Sequence, residues 1–434
     1  MSETKSSAEN QEQRLLKCIR CGFCQEACPT FRLTQNEAES PRGRIYLTRS
    51  VAEGELTWNR GSISHLDACL GCRACEPVCP SGVEYGAILE QARADIEKKA
   101  RPLLPRIARR NLLNWLTSPR WLHLLVAGNE LKRRVICRPA NLPPIFAWAL
   151  SGHWRPGPAM PASHGRALFP VVSPAIGTKK HRVGLLLGCV MREMFGSTHH
   201  ATMQVLQRHG CEVIAPPNAG CCGALHLHSG DLESARMRAR RLIDAFQPYN
   251  CEVIVANAAG CGSAMKEYGD LLAGDPRYSS LAEEFAMKTR DIHEYLVEIG
   301  FDAPIQALGI TVAYHDACHL AHGQNVREQP RQILRAIPGL QLVELPESDT
   351  CCGSAGIYNI LQPKMARRLL DRKVSFIRST GATVLATGNP GCMAWIEQGL
   401  RELALPIRVV SPVELLAEAY CQAAASHDEA EIRL

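Results

Sequence analysis

Long hydrophobic runs are missing from this chain of 434 residues, and none reaches the roughly 18–20 residues of a membrane span. The protein is therefore expected to be soluble, or attached to a membrane only at its surface. No Gly-x-Gly-x-x-Gly follows a strand-like run, no Walker sequence occurs, and Gly260-Cys-Gly262 is not a phosphate loop. A nucleotide site is thus not expected. No apolar leader precedes the first cysteine, and residues 1–14 are polar and read as a disordered N-terminus. Twenty cysteines without such a leader point to a reducing cytoplasm and to thiolate ligation rather than disulfides. Acidic residues nearly vanish from residues 98–182, which hold sixteen Lys and Arg against Glu130 alone. That stretch also holds Trp115, Trp121, Trp148 and Trp154. A basic, Trp-rich segment suits anionic lipid headgroups, or else an acidic partner surface. Nothing in it resembles a nucleic-acid module, so no nucleic acid is expected.

What the chain does have is cysteine in a repeated pattern. Cys18, Cys21, Cys24 and Cys28-Pro29 are matched by Cys69, Cys72, Cys75 and Cys79-Pro80. Each run follows the C-x2-C-x2-C-x3-C-P pattern of two-cluster ferredoxins. In that pattern the first three cysteines serve one [4Fe–4S] cluster and the fourth serves the other. We expect Cys18, Cys21, Cys24 and Cys79 around one cluster, and Cys69, Cys72, Cys75 and Cys28 around the second. Zinc sites usually pair two CxxC units rather than packing four cysteines into eleven residues.

Around these motifs Ser40-Pro41 reads as an N-cap and first turn, with a helix running through Val51. A second helix is expected over Val83–Lys99. Shorter ones are expected at Arg106–Leu116 and Arg120–Leu131. From Arg182 onward the chain repeats itself. Cys189, Cys221-Cys222-Gly223 and Cys261 recur as Cys318, Cys351-Cys352-Gly353 and Cys392. Strand-like runs at Val183–Gly188, Glu212–Ala215 and Glu252–Ala256 have counterparts at Ile310–Tyr314, Leu342–Leu345 and Thr383–Ala386. Helical patterns such as Leu232–Phe246 and Lys364–Ile377 lie between them. Alternation of this kind predicts two α/β units with parallel sheets and the cysteines at the C-terminal strand ends.

The expected organisation is multi-domain, α and α/β. It runs through residues 1–14, an α-helical two-cluster ferredoxin domain at 15–100, a basic Trp/Pro-rich linker at 101–180, and repeats at 181–305 and 306–425. Cys137, Cys211, Cys251 and Cys421 fall outside the patterns and are expected as small buried apolar residues. His226, His228, His315 and His319 flank the patterned cysteines as ligands, proton carriers or plain hydrogen-bonding groups. Arg42 and Arg44 are expected to tune a cluster, contact a partner, or sit in a helix-surface salt bridge.

Both CCG copies resemble the cysteine-rich domain of heterodisulfide reductase, anaerobic glycerol-3-phosphate dehydrogenase and glycolate oxidase subunits. Pro41-Arg-Gly-Arg-Ile-Tyr-Leu47, Ala219–Ala224, Lys266-Glu-Tyr-Gly269 and Cys351–Gly356 narrow the resemblance to the iron–sulfur subunits of bacterial glycolate oxidases. It covers residues 15–420. It implies an electron-transfer subunit, not catalytic alone, that takes electrons from FAD-bearing partner subunits oxidising glycolate to glyoxylate. It passes them through two [4Fe–4S] clusters to a quinone-type acceptor, in the cytoplasm or peripherally on the inner membrane. The alternatives are a D-lactate or glycerol-3-phosphate dehydrogenase subunit, a heterodisulfide-reductase-like thiol reductase, or a zinc-stabilised assembly module. In the fuller CCG pattern a fifth cysteine stands where this chain has Ala258 and Asn389. The quartets Cys189, Cys221, Cys222, Cys261 and Cys318, Cys351, Cys352, Cys392 are therefore expected to hold a further metal, iron–sulfur or zinc, or none.

Overall fold

The computed structural model describes residues 11–119, 121–124 and 169–431. The expected Arg120–Leu131 helix, Trp148, Trp154 and Cys137 lie wholly or mostly outside these residues, as do residues 1–10 of the N-terminal tail.

The cysteine-motif region consists of helices joined by turns and loops, with no strand among its described residues. Ser40 caps the Pro41–Ala52 helix by accepting from the Gly43 N–H at 3.0 Å, with Pro41 in the first turn. Asn59 forms a reciprocal capping box with Ser62 ahead of the Arg60–Asp67 helix. The helix expected over Val83–Lys99 is shorter, Tyr85–Asp95, and continues as a wider π turn over Ile96–Ala100. Ile45, Leu66, Ile88, Leu89 and Ile96 close a small core around which the cysteine loops are wrapped.

Two sheets follow. The first has strand order β1-β3-β2-β4-β5, with β1 Val172–Ser173, β2 His181–Leu185, β3 Cys211–Ile214, β4 Val253–Ala256 and β5 Thr289–Asp291. All its pairings are parallel except β1 with β3. β1 precedes the expected start of the first repeat at 181, so the repeat's sheet borrows an edge strand from the preceding segment. The second sheet, order β7-β6-β8-β9, is all parallel. Its strands are β6 Thr311–Tyr314, β7 Gln341–Glu344, β8 Val384–Ala386 and β9 Arg408–Val410. The three predicted strand pairs correspond to β2/β6, β3/β7 and β4/β8. The predicted Leu232–Phe246 helix is found with those bounds, held at its start by the Asp231 carboxylate on the Ser234 N–H.

One apolar core runs through both sheets. It takes in Val183, Leu206, Tyr295, Val312, Ile333 and Val413. The final helix, Pro412–Glu431, leaves the second sheet and packs on the Gly196–Arg208 helix of the first.

Candidate metal centres

The two N-terminal cysteine loops fold alike. Arg20 and Gly22 in the first, and Gly71 and Arg73 in the second, take positive φ of 59°, 93°, 63° and 61°. These left-handed steps fall at the second and fourth positions after the leading cysteine. They curl each loop so that its thiols converge, at a strain that arginine tolerates poorly and glycine well.

The loops sort the cysteines by neighbour. Cys18, Cys21, Cys24, Cys75 and Cys79 line one cavity, walled by Ile45 and Val83. Cys28 lies near Cys72 and Cys75 of the second run as well as Cys24 of its own. Cys21 is exposed, while Cys28, Cys69, Cys72 and Cys75 are buried. Eight soft sulfur donors gathered in this region fit iron–sulfur clusters.

The buried quartet carries built-in positive charge. Arg44 is 1% exposed. Its guanidinium donates to the His65 carbonyl at 2.7 Å and the Thr30 hydroxyl at 3.2 Å, pairs with Glu39, and lies 4.0 Å from Cys28 Sγ. Of the roles expected for Arg44, the helix-surface salt bridge does not fit this burial, whereas tuning of a cysteine site does. Arg42 is the surface one, paired with Glu37 at 2.6 Å. Burial works against ionisation of Cys69, yet Arg44 and Arg93 lower its pKa, helped by the Tyr85 hydroxyl at 3.4 Å and the Gly71 N–H at 3.4 Å. Burial pushes Cys72 and Cys75 well up, and Cys24 up to about 11. These thiols favour the neutral form until a metal takes the proton's place.

Each repeat gathers its own four cysteines at the C-terminal ends of its strands. Cys221 lies beside Cys189 and Cys222, and Cys222 beside Cys261. In the second repeat Cys351 lies beside Cys318 and Cys352, and Cys352 beside Cys392. The nests differ in what they face. Cys72 of the buried N-terminal quartet lies beside Cys318 and Cys351. Leu70, Cys72 and Ala74 pack with Cys351, Tyr358 and Leu369. Tyr358 donates to the Ala68 carbonyl at 3.0 Å, His319 Nε2 meets the Gly71 carbonyl at 3.1 Å, and Arg32 pairs with Glu347 at 2.6 Å. The first repeat meets the same region differently, through Arg93 on the His228 carbonyl at 2.7 Å and the Arg73–Glu267 pair.

Matches to known families agree with this division. A model described as a 4Fe-4S dicluster domain matches residues 14–83. The CCG cysteine-rich domain matches residues 183–266 and 312–397. The probable glycolate oxidase iron-sulfur subunit of Bacillus subtilis is 38% identical, over 94% of each chain. The glycolate oxidase iron-sulfur subunit of Escherichia coli is 35% identical, over 87% of this chain and 88% of its own. The chain belongs to the family of glycolate oxidase iron–sulfur subunits. Among solved structures, a hypothetical protein from Helicobacter pylori shares the fold, with a TM-score of 0.55 at 9% identity over 96% of this chain and 76% of its own.

The four histidines that flank the patterned cysteines have different surroundings. His226 Nε2 faces Asn114 at 3.2 Å and His228 Nδ1 faces Glu90 at 2.7 Å. The His228 and His319 rings lie 4.7 Å apart between the two repeats. His315 alone joins a cysteine nest, its ring nitrogen grouped with the sulfurs of Cys352 and Cys392 within 4.8 Å. Lys373, also buried there, was not singled out from sequence, because a lysine in an amphipathic helix ordinarily reads as surface. Cys211 and Cys251 are buried as expected, while Cys421 is exposed.

Proposed function

We propose that this chain is the electron-transfer subunit of a flavin-dependent glycolate oxidase complex. In this reading it takes electrons from FAD-bearing partner subunits and delivers them to a quinone-type acceptor. The observation that carries the reading is the gathering of Cys18, Cys21, Cys24 and Cys79 around one cavity, with Cys28 near Cys72 and Cys75, in a chain of this family. Cys18, Cys21, Cys24 and Cys79 hold one [4Fe–4S] cluster, and Cys69, Cys72, Cys75 and Cys28 hold the other. Bound there, the clusters supply one-electron transfer, while the partner's flavin supplies the two-electron oxidation. Arg44 and Arg93 offset thiolate charge in the buried quartet, and Tyr85 and Gly71 hydrogen-bond its Cys69 sulfur. The quartet that includes exposed Cys21 is the natural electron entry or exit, and Cys72 connects the buried one to the second repeat.

A peripheral membrane position belongs to the same proposal. No helix among the described residues is long and apolar enough to cross a membrane. The Leu103–Thr117 helix does expose Leu103, Leu104, Ile107 and Trp115, with Arg106 and Arg110 beside them. Apolar and aromatic side chains flanked by arginine suit the headgroup boundary of an anionic bilayer.

The deciding experiment co-purifies the chain anaerobically with its flavoprotein partner and adds glycolate. Low-temperature EPR should then show two interacting reduced [4Fe–4S] signals. A flavin that is bleached by glycolate beside clusters that stay oxidised would overturn the relay. Flotation with phosphatidylglycerol vesicles tests the membrane contact, which Leu104→Glu should weaken.

A further inference from the structure

We propose that the second repeat, and not the first, binds one zinc-type cation through His315 Nε2 and the sulfurs of Cys352 and Cys392. This goes beyond the relay reading, since zinc has no redox chemistry and takes no electron from the clusters.

The ring of His315 is fully buried. Its Nδ1 lies 2.8 Å from the Ser348 carbonyl, an acceptor only, so Nδ1 carries the proton and Nε2 keeps a free lone pair. Nε2 has no hydrogen-bond partner. An unpartnered buried nitrogen is costly unless something fills its lone pair. The ligand atoms of His315, Cys352 and Cys392 lie within 4.8 Å of one another. A tetrahedral ion with bonds of about 2.0–2.3 Å sets its donors about 3.3–3.8 Å apart, inside that limit, and one imidazole with thiolates is a typical zinc donor set. A ring nitrogen bonded to a carbonyl, with the opposite nitrogen on the metal, is also the usual second-shell arrangement of a metal-bound histidine.

Lys373 borders the same nest: it is 2% exposed, its Nζ donates to the Glu347 and Ser348 carbonyls, and it sits beside Cys351, Cys352 and Cys392. Asn389, standing where a fifth cysteine would complete a cluster ligand set, instead donates to Cys392 Sγ at 3.5 Å.

The first repeat lacks these features at matching places. Leu186 N–H donates to Val255 O as His315 N–H donates to Ala386 O, so Leu186 is the counterpart of His315. Gly223 meets Ala235 as Gly353 meets Ala366, which aligns Lys373 with Leu242. Two leucines replace the nitrogen ligand and the cation.

The test uses the full chain with its clusters, purified anaerobically, offered an equimolar zinc salt and desalted. Metal content by plasma mass spectrometry should give about one zinc beside about eight irons per chain. His315→Leu should lose zinc more than tenfold with iron unchanged. His315→Cys, which keeps a donor, should retain it, and so should Cys222→Ser in the first repeat. Cys392→Ser is the second loss variant, and far-UV circular dichroism checks that each variant folds. Cobalt(II) in place of zinc should show thiolate charge-transfer absorption in the wild type and lose it in Cys352→Ser. Zinc absent from the wild type, zinc retained by both His315→Leu and Cys392→Ser, or about twelve irons with no zinc would overturn the proposal. Glycolate-driven cluster reduction that survives zinc loss separates this site from the relay.

Discussion

Replacing Arg44 with methionine removes a buried cation while keeping most of its volume. The guanidinium lies 4.0 Å from Cys28 Sγ, where a unit charge pair is worth about 4 kcal/mol at an effective dielectric near 20. An added electron spreads over a whole cluster, so roughly half of that, ~2 kcal/mol, is lost on substitution. Losing the cation makes reduction harder. At ~1.4 kcal/mol per ~59 mV for one electron, the potential of that cluster should fall by roughly 90 mV. The variant also strands Glu39, which is shared with His65 at 2.7 Å, so stability should drop by about 3–5 kcal/mol. Glu39→Gln is the companion variant and should move the potential upward. The assay is an EPR-monitored redox titration of preparations with both clusters loaded, as judged by iron content. One cluster should move and the other should not. A shift below about 30 mV in both, with iron intact, would refute the assigned role of Arg44.

Cys24→Ser should impair one cluster while the two repeats stay folded, and an unaltered low-temperature EPR spectrum would sink the ligand assignment. Gly230 takes φ +86°, and a Cβ there would come within 2.5 Å of the Arg93 backbone. Gly230→Ala should therefore cost about 2–4 kcal/mol in urea unfolding, and an unchanged midpoint would deny this close approach. Burial holds the His199 pKa down to about 4, with its ring bonded to Leu187 O and Asn257. Because the unfolded chain takes that proton at about 6.5, this stability is present above pH ~6.5 and fades as the pH falls towards ~4. At about pH 5 the loss should be about 2 kcal/mol, and His199→Gln should flatten that part of the profile.

Local features were the legible ones. Ser40-Pro41 foretold a helix start because cap and first turn are contiguous in the chain. The duplicated cysteine spacings foretold two sheets because each spacing spans a helical crossover and the next strand. The Leu232–Phe246 helix was readable from its apolar period alone. Contacts made across long separations were not. Arg93 joins the Leu66 and Cys69 carbonyls to that of His228, and nothing near it in sequence marks it out. The descent of Arg44 into the core depends on Thr30, Glu39 and His65 converging from three segments. His315 was noticed beside Cys318, its neighbour in sequence, whereas its spatial partners are Cys352 and Cys392.

The burial of Cys72 and Cys75 imposes an order of assembly. Their loop is roofed by Cys351, Tyr358 and Leu369, residues synthesised long after it. A nascent chain presents all eight N-terminal thiols to the machinery that delivers iron and sulfide before the second repeat exists to cover them. Once that repeat docks, it covers Cys72, whereas the quartet that includes exposed Cys21 stays open to repair. Damage by oxygen should thus be reversible at one cluster and, at the other, coupled to opening of the whole interface.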